Sequence, residues 1–173
     1  LVAVTGSLGG AAAGHRLLEH PERGEPIAEE IRKALVGRQL EPRARLAESR
    51  ILADNGTSSM IDVSDGLAAD LGHIARASGV RLDVRAELLP VAAGAAEVAA
   101  AGSGTGEDLA LAGGEDYELA LTIDPATFDA ARTGLRAIGC ELTSIGRVAE
   151  GEGVVITRGG KAIEAPAGHD HLS

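Results

Sequence analysis

A chain of 173 residues is long enough for one domain with a real core. Its formal net charge of −10 argues against nucleic acid or an anionic membrane as a general partner, and Tyr117 and Phe128, its only aromatics, cannot build a base-stacking surface. No run approaches the roughly 18 apolar residues of a membrane span, no signal peptide is visible, and the lone Cys140 excludes an internal disulfide, which fits a reducing cytoplasm.

Leu1 to Val4 reads as a short apolar strand, and Thr5-Gly-Ser-Leu-Gly-Gly10 as a turn before an Ala-rich helix from about Ala11 to His20. The turn lacks the Walker Lys-Ser/Thr and the GxGxxG spacing, so close packing of helix on strand explains it better than a phosphate loop does. A strand at the first residue suggests the later part of a longer protein. Ile27, Ile31 and Leu35 mark an amphipathic helix that Gly37 could end. Leu46 to Ala53 is helical, Ser58 to Val63 a strand, and Leu67, Leu71, Ile74 and Ala75 form the apolar face of a helix that stops near Gly79. Val80 to Val84 alternates as a half-buried strand does. Residues 91–106 read as a weak helix and a loop, Leu109 to Leu111 as a helical turn, and Tyr117 to Ile123 as a strand. Asp124 and Pro125 open a helix running to Ile138. Strands over Glu141 to Val148 and Gly153 to Thr157, and a last short one at Ala162-Ile163, complete the chain. Several connections are too short for parallel crossovers. The pattern predicts an α+β fold: a mixed, mainly antiparallel sheet with helices packed on one face. Residues 1–40 would form an entry strand and helices, and 41–173 the main body.

Asp62, Ser64 and Asp65 sit where an apolar strand runs into a helix. Residues i and i+2 of a strand share a face, so Asp62 and Ser64 project together if the strand runs that far, and Asp65 or Ser64 would then cap the helix. A helix amino end attracts anions. Ser64 could donate to a phosphate there, whereas Asp62 and Asp65 would repel one unless magnesium lay between, held by hard oxygen ligands. Spacing alone leaves both readings open, a cap with a solvated strand end or a metal and phosphate site. A haloacid-dehalogenase phosphatase would need Asp-x-Asp, and the residue two after Asp62 is Ser64.

Other candidates are weaker. Glu115-Asp116 after Gly113-Gly114 is, on spacing, a polar turn before a strand. Tyr117 reads as core, and His73 lies off its helix's apolar face. His169, Asp170 and His171 lack a fourth zinc partner, and Cys140 lacks a local base. Arg43 and Arg45 are surface charges, phosphate contacts or contacts to another domain.

Several segments occur in a telling order: Val4-Thr-Gly-Ser-Leu-Gly-Gly-Ala-Ala-Ala-Gly14, Pro42-Arg-Ala-Arg-Leu46, Met60-Ile-Asp-Val-Ser-Asp-Gly-Leu-Ala-Ala-Asp-Leu-Gly-His-Ile74, Gly113-Gly-Glu-Asp-Tyr-Glu-Leu119, Ile145-Gly-Arg-Val148 with Gly151-Glu-Gly-Val154, and Gly168-His-Asp-His-Leu172. Together they resemble the carboxyl-terminal half of the thiamine-monophosphate kinase family across essentially the whole chain. The two long motifs are specific; the others support them. Ala44 stands where the family has a proline, and His169 where it has an aromatic.

The resemblance implies a fold shared with aminoimidazole ribonucleotide synthetase and selenophosphate synthetase. It implies ATP-dependent phosphorylation of thiamine monophosphate to thiamine diphosphate, with Asp62 and Asp65 as Mg2+ ligands and Ser64 as an ATP contact. Glu115 would contact the substrate, and His169 would lie against its ring, where an imidazole can still pack flat. No side-chain base is expected, because the acceptor phosphate has a second pKa of about 6 and is already an anion. An amino-terminal domain that carries the homodimer contacts, further aspartates and part of the ATP site would be absent here, leaving this portion inactive alone. The alternatives are a sister-family synthetase and a non-catalytic Mg-nucleotide-binding module.

Overall fold

The computed structural model describes residues 1–24 and 27–164. Seven strands form one sheet: β1 (Val2–Thr5), β2 (Thr57–Asp62), β3 (Arg81–Arg85), β4 (Leu119–Ile123), β5 (Leu142–Ala149), β6 (Gly153–Arg158) and β7 (Lys161–Ile163), in the order β2-β4-β1-β5-β3-β6-β7. Every neighbouring pair is antiparallel except β3 with β6. The mixed, mainly antiparallel sheet is as the pattern predicts.

Helices cover both faces, not one. Every residue of β1 and β4 is buried, and a strand apolar at successive positions needs cover on both sides. On one face Val2, Val4 and Ala120 pack with Leu67, Leu71 and Ile74 of α4 (Leu67–Ser78) and with Ala110 and Leu111 of α6 (Gly106–Ala112). On the other, Ala3, Leu121 and Ile123 meet Leu52 of α3 (Leu46–Asp54) and Phe128, Ala131 and Leu135 of α7 (Pro125–Arg136). Cys140 is buried in this second cluster, and burial pushes its thiol pKa up, which leaves it unreactive.

A third cluster joins α1 (Gly10–Glu19), α2 (Glu29–Leu40) and α5 (Ala95–Ala100) through Ala13, Leu17, Leu35, Ala95 and Val98. The two long helices touch at Gly14, where a Cβ would stand 2.1 Å from the Leu35 carbonyl oxygen. α2 does not stop at Gly37 but continues to Leu40, because Arg38 and Gln39 find partners on other elements. Residues 91–106 hold the short helix α5 and a loop, as the pattern suggests. Thr105 opens α6 with a capping box in which its hydroxyl accepts from Asp108 N–H and the Asp108 carboxylate accepts from Thr105 N–H. Asp124 caps α7, accepting from Ala126 N–H, as its position before Pro125 suggests.

Gly14→Ala is expected to lower stability by about 1–3 kcal/mol, because the added methyl must push α1 from α2. Urea unfolding checks this; an unchanged midpoint would show that the helices separate without cost.

Candidate functional site

Strand β2 ends at exposed Asp62; Val63 is buried, and Ser64 and Asp65 are half-buried in the turn into α4. The helix N-cap is Gly66, which has no side chain, so neither Ser64 nor Asp65 is the cap that spacing suggested. The turn is held from inside the helix instead. Asp70 is 1% exposed, and its Oδ2 accepts the backbone N–H of Ser64 at 3.0 Å and of Asp65 at 3.1 Å. Burial raises the Asp70 pKa; the two N–H bonds pull it back, and the charges of Asp65 and Asp62 add to the rise. Sequence reading passed over Asp70. The available signal was an acid in the first helical turn, where side chains lean toward the amino end.

Asp65, Asp70 and exposed His73 each bring one ligand atom within 4.8 Å of the others, the group among the described residues that could hold a cation. Asp62 lies outside this trio and enters as a neighbouring charge. The structure therefore groups Asp65 with Asp70 and His73 more closely than with Asp62.

The second motif is bonded to the first. Glu115 N–H donates to the Ser64 carbonyl at 2.9 Å, Tyr117 N–H to the Val63 carbonyl at 2.9 Å, and Val63 N–H to the Glu118 carbonyl at 2.8 Å. Gly114 permits this approach, since a Cβ there would stand 2.4 Å from the Ser64 carbonyl oxygen. Glu115 (φ 65°) and Tyr117 (φ 49°) both adopt left-handed backbone, which non-glycine residues rarely hold unless their surroundings enforce it. Tyr117 is consequently half-buried rather than core, and β4 starts only at Leu119. The Glu115 Oε2 accepts from Gln39 Nε2 of α2 at 2.5 Å. Both residues line a cavity of about 540 Å³ with His15, Arg16, Gly113 and Gly114.

Beneath this loop lies a buried charge network. The Asp116 carboxylate accepts the N–H groups of Gly9 and Ala11, capping α1 from a distant part of the chain. Burial raises its pKa, outweighing the N–H bonds and the nearby Arg38 guanidinium. Glu118 is fully buried and accepts from Thr5 Oγ1 at 2.7 Å and, in a bidentate pair, from Arg45 Nε at 2.9 Å and Nη2 at 2.6 Å. Arg45 also meets Glu48 at 3.0 Å. Burial opposes the Arg45 charge, but Glu118 overrides it and raises the pKa, so Arg45 is an internal ion-pair partner and not a surface charge. Arg38 spans Ser7, Asp116 and Glu118. Arg43 is exposed beside these groups, around a cavity of about 260 Å³. His169 lies outside the described residues.

These features define a class: an α+β domain with a mixed sheet, an acidic strand-to-helix turn, and a Gly-Gly-Glu loop bonded to that turn. The model of the family described as AIR synthase related protein, C-terminal domain, matches residues 1–159, and the chain belongs to that family. Among its relatives, the thiamine-monophosphate kinase of Aquifex aeolicus (strain VF5) is 36% identical over 172 residues, covering 99% of this chain and 51% of that protein. The structure of a thiamine-monophosphate kinase from Stenotrophomonas maltophilia K279a superposes with a TM-score of 0.80 at 35% identity, covering 94% of this chain and 50% of the other. A structure described as AaThiL complexed with AMPPCP and TMP gives a TM-score of 0.79 at 33% identity, covering 99% of this chain and 50% of the other. The chain thus spans about half the length of the curated relatives it matches. The motif resemblance to thiamine-monophosphate kinases holds across the whole chain.

Asp70→Ala is expected to cost about 1–3 kcal/mol, because two half-buried N–H groups lose their acceptor. Asp70→Asn should cost less than half as much, because one oxygen takes both bonds and the buried charge is itself unfavourable. Equal losses in urea unfolding at pH 7 would contradict this. Arg45→Met should cost at least about 3 kcal/mol by leaving Glu118 buried without its main counter-charge. Adding Glu118→Gln should recover part of that loss; no recovery would mean that packing, not charge, was lost.

Proposed function

We propose that the protein containing this chain transfers the γ-phosphoryl group of ATP to thiamine monophosphate, giving thiamine diphosphate. The observation that carries the reading is the bond between the two motifs, Glu115 N–H to the Ser64 carbonyl. It ties the turn bearing Ser64 and Asp65 to the loop that lines a cavity of about 540 Å³, large enough for a small-molecule substrate. The relatives named thiamine-monophosphate kinase, and the homologous complex with AMPPCP, an ATP analogue, and TMP, support the same assignment.

On this reading Ser64 donates its hydroxyl to a nucleotide phosphate, its N–H being already taken by Asp70. Asp62 and Asp65 supply hard oxygen donors that suit Mg2+, with Asp70 adjacent. When bound, Mg2+ neutralises phosphate charge so that two anions can meet. Glu115 contacts thiamine monophosphate from the loop; the ring contact expected of His169 falls outside the described residues. An acceptor phosphate oxygen attacks the γ-phosphorus, the bond to the β–γ bridging oxygen breaks, and ADP leaves with that electron pair. The acceptor is already ionised, so the chain's residues orient the reactants and need not remove a proton.

The remaining ATP contacts, further aspartates and the homodimer interface are assigned to the part of the relatives' length that this chain does not span; residues 1–173 alone would not turn over. No helix among the described residues is long and apolar enough to cross a membrane. The lone, unreactive Cys140 is in keeping with a cytoplasmic enzyme.

The test is ATP-dependent formation of thiamine diphosphate by the full-length protein with Mg2+. Activity on an aminoimidazole or selenide substrate in its place would move the protein to a sister family. Binding of Mg-ATP without turnover of any substrate would make it a nucleotide-binding module. Asp62→Asn should lower kcat on the order of 100-fold or more with an unchanged melting temperature; full activity would remove Asp62 from the site.

A further inference from the structure

Among the described residues, the side chain of Glu115 is held by a single partner. Its backbone is fixed independently: Gly114 abuts Ser64, Glu115 N–H is bonded to the Ser64 carbonyl, and Asp116 and Glu118 are anchored to α1, Arg38 and Arg45. None of those contacts sets the rotamer of the Glu115 side chain. Among the described residues its only hydrogen bond comes from Gln39 Nε2 to Oε2, at 2.5 Å, and Oε1 accepts none. Gln39 is well placed for this. It follows Arg38 in the last turn of α2, and Arg38 is pinned to Ser7 and Asp116, so that turn is a rigid platform. Both Gln39 and Glu115 line the same cavity of about 540 Å³.

We infer that Gln39 is a positioning residue that orders the Glu115 carboxylate in the substrate cavity and so sets the affinity for thiamine monophosphate. The inference rests on the proposed role of Glu115 as a substrate contact. Its physical basis is preorganisation: a long, flexible side chain ordered on folding need not be ordered on binding. The choice of an amide matters as well. A lysine or arginine at 39 would pair with Glu115 as a counter-ion, whereas the neutral amide donates one hydrogen bond and brings no counter-charge. The carboxylate then faces a ligand whose thiazolium ring is a permanent cation.

The test uses the full-length protein, with KM for each substrate, kcat and melting temperature measured for the wild type, Gln39→Ala, Glu115→Gln and the double variant. Gln39→Ala is expected to raise KM for thiamine monophosphate about 5- to 10-fold, with kcat, KM for ATP and melting temperature within error of wild type. In the Glu115→Gln background the same substitution should add less than 2-fold, since Gln39 acts through Glu115. An unchanged KM in Gln39→Ala, where Glu115→Gln does raise it, overturns the inference and leaves the Glu115 role standing. Full additivity in the double variant overturns it too, as does an equal rise in both KM values with a lower melting temperature. If Glu115→Gln itself leaves KM unchanged, the Glu115 role fails, and this inference with it.

Discussion

A fully buried carboxylate, Glu118, is the constraint on which the site depends. A buried charge is tolerated only when paired and hydrogen-bonded, and its partners come from three separate parts of the chain. Thr5 closes β1, Arg45 stands at the start of α3, and Arg38 lies in the last turn of α2. Two residues earlier Asp116 does comparable work, accepting the first N–H groups of α1. Alternate positions of one short segment thus tie together the sheet and three helices. Such a segment has a single path, and that path forces Glu115 and Tyr117 into left-handed backbone.

The proposed function draws on that rigidity. A transfer between two phosphates needs little covalent help from the protein and a great deal of placement. The Gly-Gly-Glu loop is bonded to the turn bearing Ser64 and Asp65, and Asp70 holds the same turn from beneath. On the proposed reading, nucleotide and metal groups on one side and the substrate cavity on the other share one scaffold. The left-handed conformations are unfavourable for residues with a side chain, and the charge network below holds them in place.

Much of the fold was legible in the residues. The strand and helix order follows from apolar periodicity, and Asp124-Pro125 marks its helix start by capping chemistry. Both long motifs, with Asp62, Ser64, Asp65 and Glu115, stand out in the chain. What misled was local inference about groups whose partners are remote. Ser64 and Asp65 looked like caps, but Gly66 occupies that position and a buried Asp70 reaches back to the turn. Gly37 looked like a stop, yet α2 continues because Arg38 and Gln39 gain contacts with the loop beyond Gly114. Helices on one face were expected from the connections; the second layer follows from burial of β1 and β4 on both sides.

Residue order by itself determined which chemistry is available: oxygen ligands at a strand-to-helix turn, a glycine pair before a glutamate, a single thiol, and the elements that carry them. Those are properties of near neighbours and of periodicity, which a linear chain displays. Only the tertiary structure decided which acid does which work. Asp116 was half of a polar turn and Glu118 an unassigned strand residue until burial made them the anchor of the loop, Arg45 had no assigned partner until Glu118 faced it, and Gln39 had no partner until α2 brought it to Glu115. The physical reason is common to all of them. The energy of a charge or a hydrogen bond depends on distance and on exclusion of water, and residues far apart in sequence acquire both only when the sheet and helices close around them.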